Sequence, residues 1–361
     1  MAYVGAVAWA PRLGHRAVWG AIVALLVLFA SLPPLLSHDV YSYVDYARLG
    51  VLHGLDPYLH TPWAAPADPA FAHVEWTGAT SAYGPLFTLA SYPLAWLSVG
   101  AAVYVLKAAS ALAVFATATI VARLAPSRGV NPLRAAAFVA LNPLVLVHIV
   151  GGPHNDGLAV LLMTLGVAAM LAGRELSAGA SFTAAIAVKA SALITVPFAI
   201  TASLRPTGPK GGPDFTLRPL DRVLVGAGAA ALTIGIAAYA AFGGHWLDAF
   251  ALIGENQGRT SHMSIPITAA RLSGIDPEIT RAIALVAFGL LVAYLLLWTY
   301  RGGDWPRAAA WATTAMLLAT AWLLPWYLLW PLPLAALSRD RALQLLLLAL
   351  TAYQLGARIP L

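Results

Sequence analysis

Cysteine is absent from the 361 residues, and charged side chains make up only 10% of them. The first absence excludes disulfides, thiolate metal sites and cysteine nucleophiles. The second excludes an ordinary soluble domain, in which about a quarter of the residues are charged. Apolar residues reach 60% and the mean hydropathy is +0.77, so lipid must cover most of the surface. The sequence therefore predicts an integral membrane protein.

Several catalytic and binding signatures are also lacking. No HExxH, P-loop, GxSxG or GxGxxG motif stands in a suitable context, and no spacing of Asp and His is diagnostic for a metal. No basic stripe is clustered on a soluble face, so nucleic acid is not expected as a partner. We therefore expect no cofactor; the sequence leaves a divalent ion open but gives it no support.

Apolar runs recur along the whole chain, and each crossing helix needs about 20 mostly apolar residues. We expect residues 17–36 to form a retained first helix and not a cleaved signal peptide. The run 178–204 is too long for one crossing and contains Lys189, so two short helices that meet near Lys189 are predicted. The other runs are roughly 101–124, 133–150, 157–173, 223–242, 281–300, 308–324, 326–337 and 342–356.

The stretch 83–100 decides the predicted topology. It is apolar but contains Pro85 and Pro93. If it lies along the interface without crossing, most Lys and Arg residues fall on the cytoplasmic side, whereas a crossing would move Arg123, Arg128 and Arg134 to the wrong side. We therefore predict an all-α polytopic membrane protein with about 11 transmembrane helices and juxtamembrane helices in the first external loop. Residues 1–361 would form one domain, with external loops at about 37–100 and 243–280.

Asp39 follows the first predicted span directly. It begins a predicted interfacial helix over 39–53, on which Tyr43 and three apolar residues recur at helical spacing. Asp39 either caps this helix or, beside His38, acts as a general base, because a carboxylate at this depth is costly unless it has a task.

Two further segments carry polar groups within apolar surroundings. The turn Gly151–Gly157 contains His154, Asn155 and Asp156, which either form a capped turn or line a polar site. Lys189 either snorkels to the interface or holds a phosphate as a point charge.

Two further candidate binding segments are the second external loop and an aromatic motif that includes Trp326 and Tyr327. Arg259 and His262 could cradle a phosphate, with Glu255 nearby, although a solvated loop is the simpler interpretation of each. Trp326 and Tyr327 suit an aromatic belt at the membrane edge, and their faces could also stack on a sugar.

The order and sidedness of several short motifs resemble a known superfamily. A first helix with its N-terminus inside, an acid at the start of a long outer loop and the stretch Tyr83–Phe87 are similar to C-type glycosyltransferases. More narrowly, the sequence resembles actinobacterial polyprenol-phosphomannose-dependent α-1,6-mannosyltransferases, which are usually longer. The motifs are DVYSY at 39–43, HGLDPY at 53–58, GPHND at 152–156 and PWYLLW at 325–330.

The resemblance implies a C-type glycosyltransferase fold and an inverting transfer of mannose from a polyprenyl-phosphate donor to a glycan or glycolipid, on the outer face of the plasma membrane. Asp39 would be the general base. Lys189, Arg259 and His262 would bind the donor phosphate. The sugar and acceptor would contact His38, Tyr41, Tyr43, His154, Asn155, Asp156, Glu255, Trp326 and Tyr327.

Three alternatives stay open at this point. A transporter or flippase would place its polar groups near the bilayer midplane on repeated broken helices, whereas most of the predicted polar groups lie at one face and no internal repeat is evident. A protein that only scaffolds partners would have no particular use for the acidic residues predicted outside. The same chemistry with another polyprenyl-phosphate sugar is the nearest alternative.

Overall fold

The computed structural model describes residues 2–204, 218–250 and 258–356, and within these ranges the chain consists of helices and turns without a strand. The all-α prediction is confirmed. The α-helices are α1 (Ala2–Ser31), α2 (Asp39–Leu52), α3 (Pro85–Ser91), α4 (Val99–Leu124), α5 (Pro132–Ala140), α6 (Asp156–Leu171), α7 (Glu175–Val188), α8 (Val196–Ser203), α9 (Pro219–Phe242), α10 (Ile265–Ser273), α11 (Pro277–Tyr300), α12 (Trp305–Ala319), α13 (Leu332–Ala336) and α14 (Arg341–Gly356).

Four of the described helices are long and apolar enough to cross a membrane: α1, α4, α9 and α11. Helix α5 and the π-helical stretch Val145–Gly151 add a fifth if the two, bent by 61°, form one broken span. Helices α6 and α7 are apolar but shorter. Long apolar helices support a membrane protein, whereas the predicted count of about 11 crossings is not confirmed by the described residues.

The predicted break in the run 178–204 falls at Lys189. Helix α7 ends at Val188, Lys189 is extended (φ −155°, ψ 123°), and a 3-10 helix, Ala190–Thr195, leads into α8. Helix α7 packs against both α6 and α9. An extended residue between two helices leaves backbone groups that require partners outside the helices.

Helix α2 lies against the protein. The residues that recur at helical spacing on it, Val40, Tyr43, Val44 and Ala47, are all at most 2% exposed. Val40, Tyr43 and Val44 pack in one cluster with residues of α3 and α4, among them Phe87. This face of α2 is covered by protein, because the segment 83–100 folds over it as short helices.

That covering segment has no long helix. It forms α3 and a 3-10 helix, Tyr92–Trp96, and then turns into α4. The prolines at 85 and 93 stand near the starts of these short elements, where proline is tolerated. A stretch interrupted in this way is unsuited to a single crossing, in agreement with the interfacial prediction.

Gly84 lies where this segment contacts the C-terminal end of α7, and replacing it with alanine tests how closely the two approach. A Cβ atom at position 84 would lie 2.1 Å from the backbone oxygen of Ala187. Gly84→Ala must therefore separate the two segments, and we expect it to lower the free energy of unfolding by about 1–3 kcal/mol. Thermal unfolding of the detergent-solubilised protein measures the change.

The matched control is Gly289→Ala in α11, where a Cβ atom would meet nothing within 4 Å. That variant should keep or raise the unfolding temperature, because glycine in a helix is less stable than alanine by roughly 0.5–1 kcal/mol. Equal unfolding temperatures for Gly84→Ala and wild type would contradict the close approach at residue 84.

Candidate functional site

Asp39 is the first residue of α2, and its two carboxylate oxygens face different neighbours. Oδ1 accepts a hydrogen bond of 3.2 Å from the indole Nε1 of Trp76. Oδ2 lies 3.5 Å from Nδ1 of His154, and the Asp39 side chain is 20% exposed. The residue at the N-cap position of α2 is His38, and no side chain caps this helix. The carboxylate is therefore free to interact with groups beyond its own helix.

The surroundings of Asp39 favour proton uptake. Burial raises its pKa, and the negative charges of Asp156 and Glu75 act in the same direction. The positive charge of Lys189 and the hydrogen bond from Trp76 oppose this rise. A carboxylate with a raised pKa is a better proton acceptor near neutral pH than an exposed one.

The turn before α6 brings three consecutive polar residues into the interior. His154, Asn155 and Asp156 are at most 2% exposed. The imidazole of His154 stacks on Trp326 with ring centroids 3.8 Å apart and an interplanar angle of 19°. Burial lowers the pKa of His154, with Lys189 adding to the effect. The contact with Asp39 therefore joins a carboxylate to a neutral imidazole.

Asp156 is the centre of a compact ionic cluster. Its Oδ2 lies 2.6 Å from Nζ of Lys189, and its Oδ1 accepts a hydrogen bond of 2.6 Å from Nε1 of Trp330. The same ammonium lies 3.5 Å from Oδ1 of Asn155. Lys189 is 22% exposed, so its charge is partly neutralised yet still accessible at one side.

The backbone carbonyl of Val188 connects this cluster to the first loop. It accepts hydrogen bonds from the amide N–H of Gly84 at 3.2 Å and from Nδ2 of Asn155 at 3.4 Å. The hydroxyl of Tyr43 in turn accepts a hydrogen bond from the Asn155 N–H at 3.4 Å. These contacts fix the turn, the broken end of α7 and α2 relative to one another.

Aromatic rings line one side of the cluster. The 3-10 helix Pro325–Leu329 carries Trp326, which covers His154, and Tyr327, which stacks on Trp330 at 4.2 Å. Nζ of Lys189 lies 5.7 Å from the centroid of the Tyr327 ring. The three aromatic residues thus flank the ionic groups and limit the access of water to them.

On the more exposed side of Asp39, a guanidinium lies against two indoles. The Arg259 guanidinium carbon is 5.0 Å from the ring centroid of Trp76 and 5.4 Å from that of Trp322. Nearby, Ser261 donates to the carbonyls of Ala321 and Leu323 at 2.8 and 2.9 Å. The segment after Arg259 is thereby attached to the chain next to Trp322.

Two family models match the chain. One, described as alpha-(1->6)-mannopyranosyltransferase, N-terminal domain, matches residues 2–205. The other, described as MptB C-terminal domain, matches residues 275–356. The first match alone covers more than half of the chain and includes Asp39, the turn 151–157 and Lys189.

The chain belongs to the α-(1→6)-mannopyranosyltransferase family.

Similar proteins bear the same name. Alpha-(1->6)-mannopyranosyltransferase A of Mycobacterium tuberculosis is 34% identical over an alignment of 334 residues, and the match covers 84% of this chain and 61% of that protein. Alpha-(1->6)-mannopyranosyltransferase A of Corynebacterium glutamicum is 30% identical over 193 residues, 52% of this chain and 38% of its own length. The chain thus spans about three fifths of the length of the first relative.

For this mannopyranosyltransferase family member, the structure brings together eight of the residues singled out from sequence. Contacts join Asp39 to His154, and further contacts join Tyr43, Asn155, Asp156, Lys189, Trp326 and Tyr327 into the same region. Arg259 lies against Trp76, which in turn donates a hydrogen bond to Asp39. The roles given to these side chains remain predictions.

Other predicted residues lie apart from this cluster. His38 is exposed, with Nδ1 3.8 Å from Glu75, and Tyr41 stacks on His73 with ring centroids 4.9 Å apart. His262 is also exposed, and no hydrogen bond, ion pair or ring contact among the described residues joins it to Asp39 or Lys189. Glu255 lies outside the described residues.

Sequence reasoning did not single out Trp76 and Trp330, the two indoles that donate to carboxylates of the site. Trp330 ends the PWYLLW motif, four residues after Trp326, so helical spacing could have drawn attention to it. Trp76 lies 37 residues from Asp39 in a loop, and no local pattern reveals that contact.

Lys107 was also overlooked, although the rule that singled out Lys189 applies to it equally. It lies within α4 and is 0% exposed. Its ammonium donates to the carbonyl of Gly151, which also accepts a hydrogen bond of 3.1 Å from the Leu35 N–H. Lys107 therefore anchors the start of the turn that carries His154 to the segment that leads into Asp39.

No group of three or more His, Asp or Glu side chains in the described part of the chain is arranged to hold a metal ion. Independence from a metal stays a prediction.

A second buried carboxylate, Asp45, lies on α2. It is 1% exposed, and neither oxygen has a hydrogen-bond partner among the described residues. Burial and the nearby charge of Asp68 raise its pKa to about 7, while His53 and Arg48 act in the opposite direction. Asp68, by contrast, is paired with Arg48 and His53, both at 2.8 Å. Asp45 is therefore largely protonated in mildly acidic solution.

Asp45 gives a prediction about stability and pH. An unfolded aspartate titrates near ~3.9, so the folded protein binds the proton more tightly and loses this stabilisation as the pH rises from about 4 to about 7. Asp45→Asn abolishes the titration. We expect the variant to unfold at a higher temperature than wild type at high pH, with a difference that shrinks toward low pH.

Thermal unfolding of both proteins across this pH range provides the measurement. Glu278→Gln is the matched control, since the Glu278 side chain is 78% exposed, and its difference from wild type should be small throughout. An unchanged pH dependence in Asp45→Asn would show that the carboxylate at position 45 is not the titrating group.

Proposed function

We propose that the protein transfers a mannosyl residue from a polyprenyl-phosphate donor to a hydroxyl group of a glycan or glycolipid, with inversion, on the outer face of the membrane. The observation that carries the proposal is the position of Asp39 in a member of this family. Its carboxylate lies between a buried polar cluster with a lysine and an exposed surface with indole rings. A general base for this reaction requires such access to both substrates.

The proposed chemistry is a single displacement. The acceptor oxygen attacks the anomeric carbon while its proton passes to Asp39. The bond between the anomeric carbon and the phosphate oxygen breaks, and polyprenyl phosphate leaves as an anion. Attack opposite to the leaving group inverts the anomeric configuration.

Lys189 is the cation best positioned to stabilise the departing phosphate. Its ammonium is bound to Asp156 on one side and remains 22% exposed on the other. Asp156 and Trp330 orient the ammonium, as partners of a charged group in a site do. For Arg259 and His262 the same role stays a prediction.

His154 supports a sugar-binding role for the turn. Its imidazole is buried, and neither nitrogen has a hydrogen-bond partner within the described residues. Buried polar groups in native proteins are normally satisfied. A donor sugar with several hydroxyl groups would satisfy this ring, with Asn155 beside it and Trp326 as an apolar wall. The lipid tail of such a donor would remain in the bilayer beside the apolar helices.

Asp39→Asn tests the proposed base. The amide keeps the shape of the carboxylate but cannot accept the proton, so we expect transfer to fall by about 10²–10⁴-fold with an unchanged unfolding temperature. Purified protein is incubated with synthetic polyprenyl-phosphate sugars and short mannosides, and products are measured by mass spectrometry.

Glu278→Gln, which removes an exposed carboxylate, is the control and should retain full activity. Undiminished transfer by Asp39→Asn would refute the assignment of the base. Wild-type protein that forms no product from any donor, but exchanges a lipid-linked sugar across proteoliposomes, would refute the enzymatic function itself.

The pH profile of transfer gives a further prediction. Since burial raises the pKa of Asp39, the ionised base is lost at a higher pH than that at which an ordinary aspartate is protonated. We expect the acid limb of kcat/KM to have its midpoint above ~4, the usual value of a carboxyl group.

Lys189→Gln sharpens this measurement, because the charge of Lys189 lowers the pKa of Asp39. In this variant the acid limb should move to higher pH, whatever the loss of maximal rate. A midpoint that does not move would contradict the electrostatic coupling between Lys189 and the base.

A further inference from the structure

The aromatic pair Trp76 and Trp322 has no role in the donor chemistry above. Both ring centroids lie within 5.4 Å of the Arg259 guanidinium carbon. We propose that these two indoles form the acceptor subsite and bind a neutral hexopyranose unit of the acceptor glycan between or across their faces. Arg259 occupies this place until the acceptor displaces it. The inference rests on the proposed function.

The two oxygens of Asp39 indicate which substrate approaches from which side. Oδ2 faces His154, which is 1% exposed and leads to the buried cluster with Lys189. Oδ1 faces Trp76, which is 37% exposed. A lipid-anchored donor fits the buried side, so the water-soluble part of the acceptor must come from the side of Trp76.

The hydrogen bond from Trp76 does not prevent Oδ1 from acting on an acceptor. A carboxylate oxygen has two lone pairs, so Oδ1 can accept the Trp76 N–H and the acceptor hydroxyl together. The indole N–H then holds the carboxylate in place while the ring face remains for the sugar. Indole rings combine a large apolar face with a polar edge in this way.

Both indoles are held by anchored segments. The carbonyl of Ala79, three residues after Trp76, accepts a hydrogen bond of 2.8 Å from Tyr46 on α2, the helix that begins with Asp39. Trp322 lies between Ala321 and Leu323, whose carbonyls both bind Ser261. The subsite is therefore bounded by two fixed walls, whereas the long Arg259 side chain can rotate away.

Arg259 is suited to the role of a temporary occupant of the subsite. A guanidinium over an indole face is held weakly where water has access, and the Arg259 side chain belongs to an exposed residue. A pyranose ring presents apolar C–H faces to the same indoles and hydroxyl groups to Asp39. This assignment gives Arg259 a role different from the phosphate contact expected from sequence.

Steady-state kinetics of the full chain with polyprenyl-phosphate mannose and a short α-mannoside test the subsite. We expect Trp322→Ala to raise the KM for the mannoside about tenfold, with the donor KM and the slow hydrolysis of donor by water unchanged. Trp322→Tyr should restore most of the affinity. Trp96→Ala, at a position that is 74% exposed, is the matched control and should change neither KM.

Arg259→Ala separates the two roles of this residue. If the guanidinium occupies the acceptor subsite, its removal lowers the KM for the mannoside and leaves the donor KM unchanged. A raised donor KM with an unchanged mannoside KM would overturn the assignment and return Arg259 to the donor phosphate.

A binding measurement separates the subsite from the catalytic function. In protein labelled with 5-fluorotryptophan, Trp76→Phe and Trp322→Phe identify the fluorine resonances of these two residues. Titration of wild type with the mannoside alone should shift both resonances and leave that of Trp96, identified with Trp96→Phe, in place. Shifts without any transfer would leave the subsite standing and refute the enzymatic function; transfer that is insensitive to Trp322→Ala, without shifts, would refute the subsite only.

Discussion

The candidate site depends on the packing of the Gly151–Gly152 backbone against the segment between α1 and α2. A Cβ atom on Gly152 would lie 2.4 Å from the Leu35 carbonyl oxygen, so only glycine permits this approach. The Leu35 N–H and the Lys107 ammonium both donate to the Gly151 carbonyl. This contact sets the distance between Asp39, four residues after Leu35, and His154, two residues after Gly152.

Burying an ammonium group costs free energy unless a polar partner compensates for the hydration that the group loses. Lys107 is held by a backbone carbonyl, which offers a partial negative charge. The arrangement places one cation beneath the turn and a second, Lys189, beside it. Two lysine side chains therefore bind the turn, Lys107 at the Gly151 carbonyl and Lys189 at the Asp156 carboxylate.

Part of this arrangement could be predicted from the sequence. The composition indicates membrane helices, and Asp39, the turn 151–157 and Lys189 are conspicuous as polar groups in apolar surroundings. The break at Lys189 could also be expected, because run 178–204 is too long for one crossing. These features are local, so pattern and length suffice to find them.

The rest depends on contacts between distant segments. Trp76 contacts Asp39 and Trp330 contacts Asp156 across 37 and 174 positions of the chain, and a single sequence does not encode such pairs visibly. The partner of the apolar face of α2 is hidden for the same reason, since the periodicity of this face is identical whether lipid or α3 covers it. Periodicity reveals that a face is buried but not what buries it.

The carbonyl of Val188 limits how this site can change in evolution. This oxygen belongs to the last residue of α7 and accepts hydrogen bonds from Gly84 and Asn155. Three stretches of chain that are far apart in sequence therefore meet at one atom. Continuing the helix through this point would withdraw the oxygen from Gly84 and Asn155 simultaneously. The interruption of α7 therefore holds three segments together. A homologue in which α7 continued as a regular helix would lose the contact with the loop, the contact with the turn and the present position of the lysine at the same time.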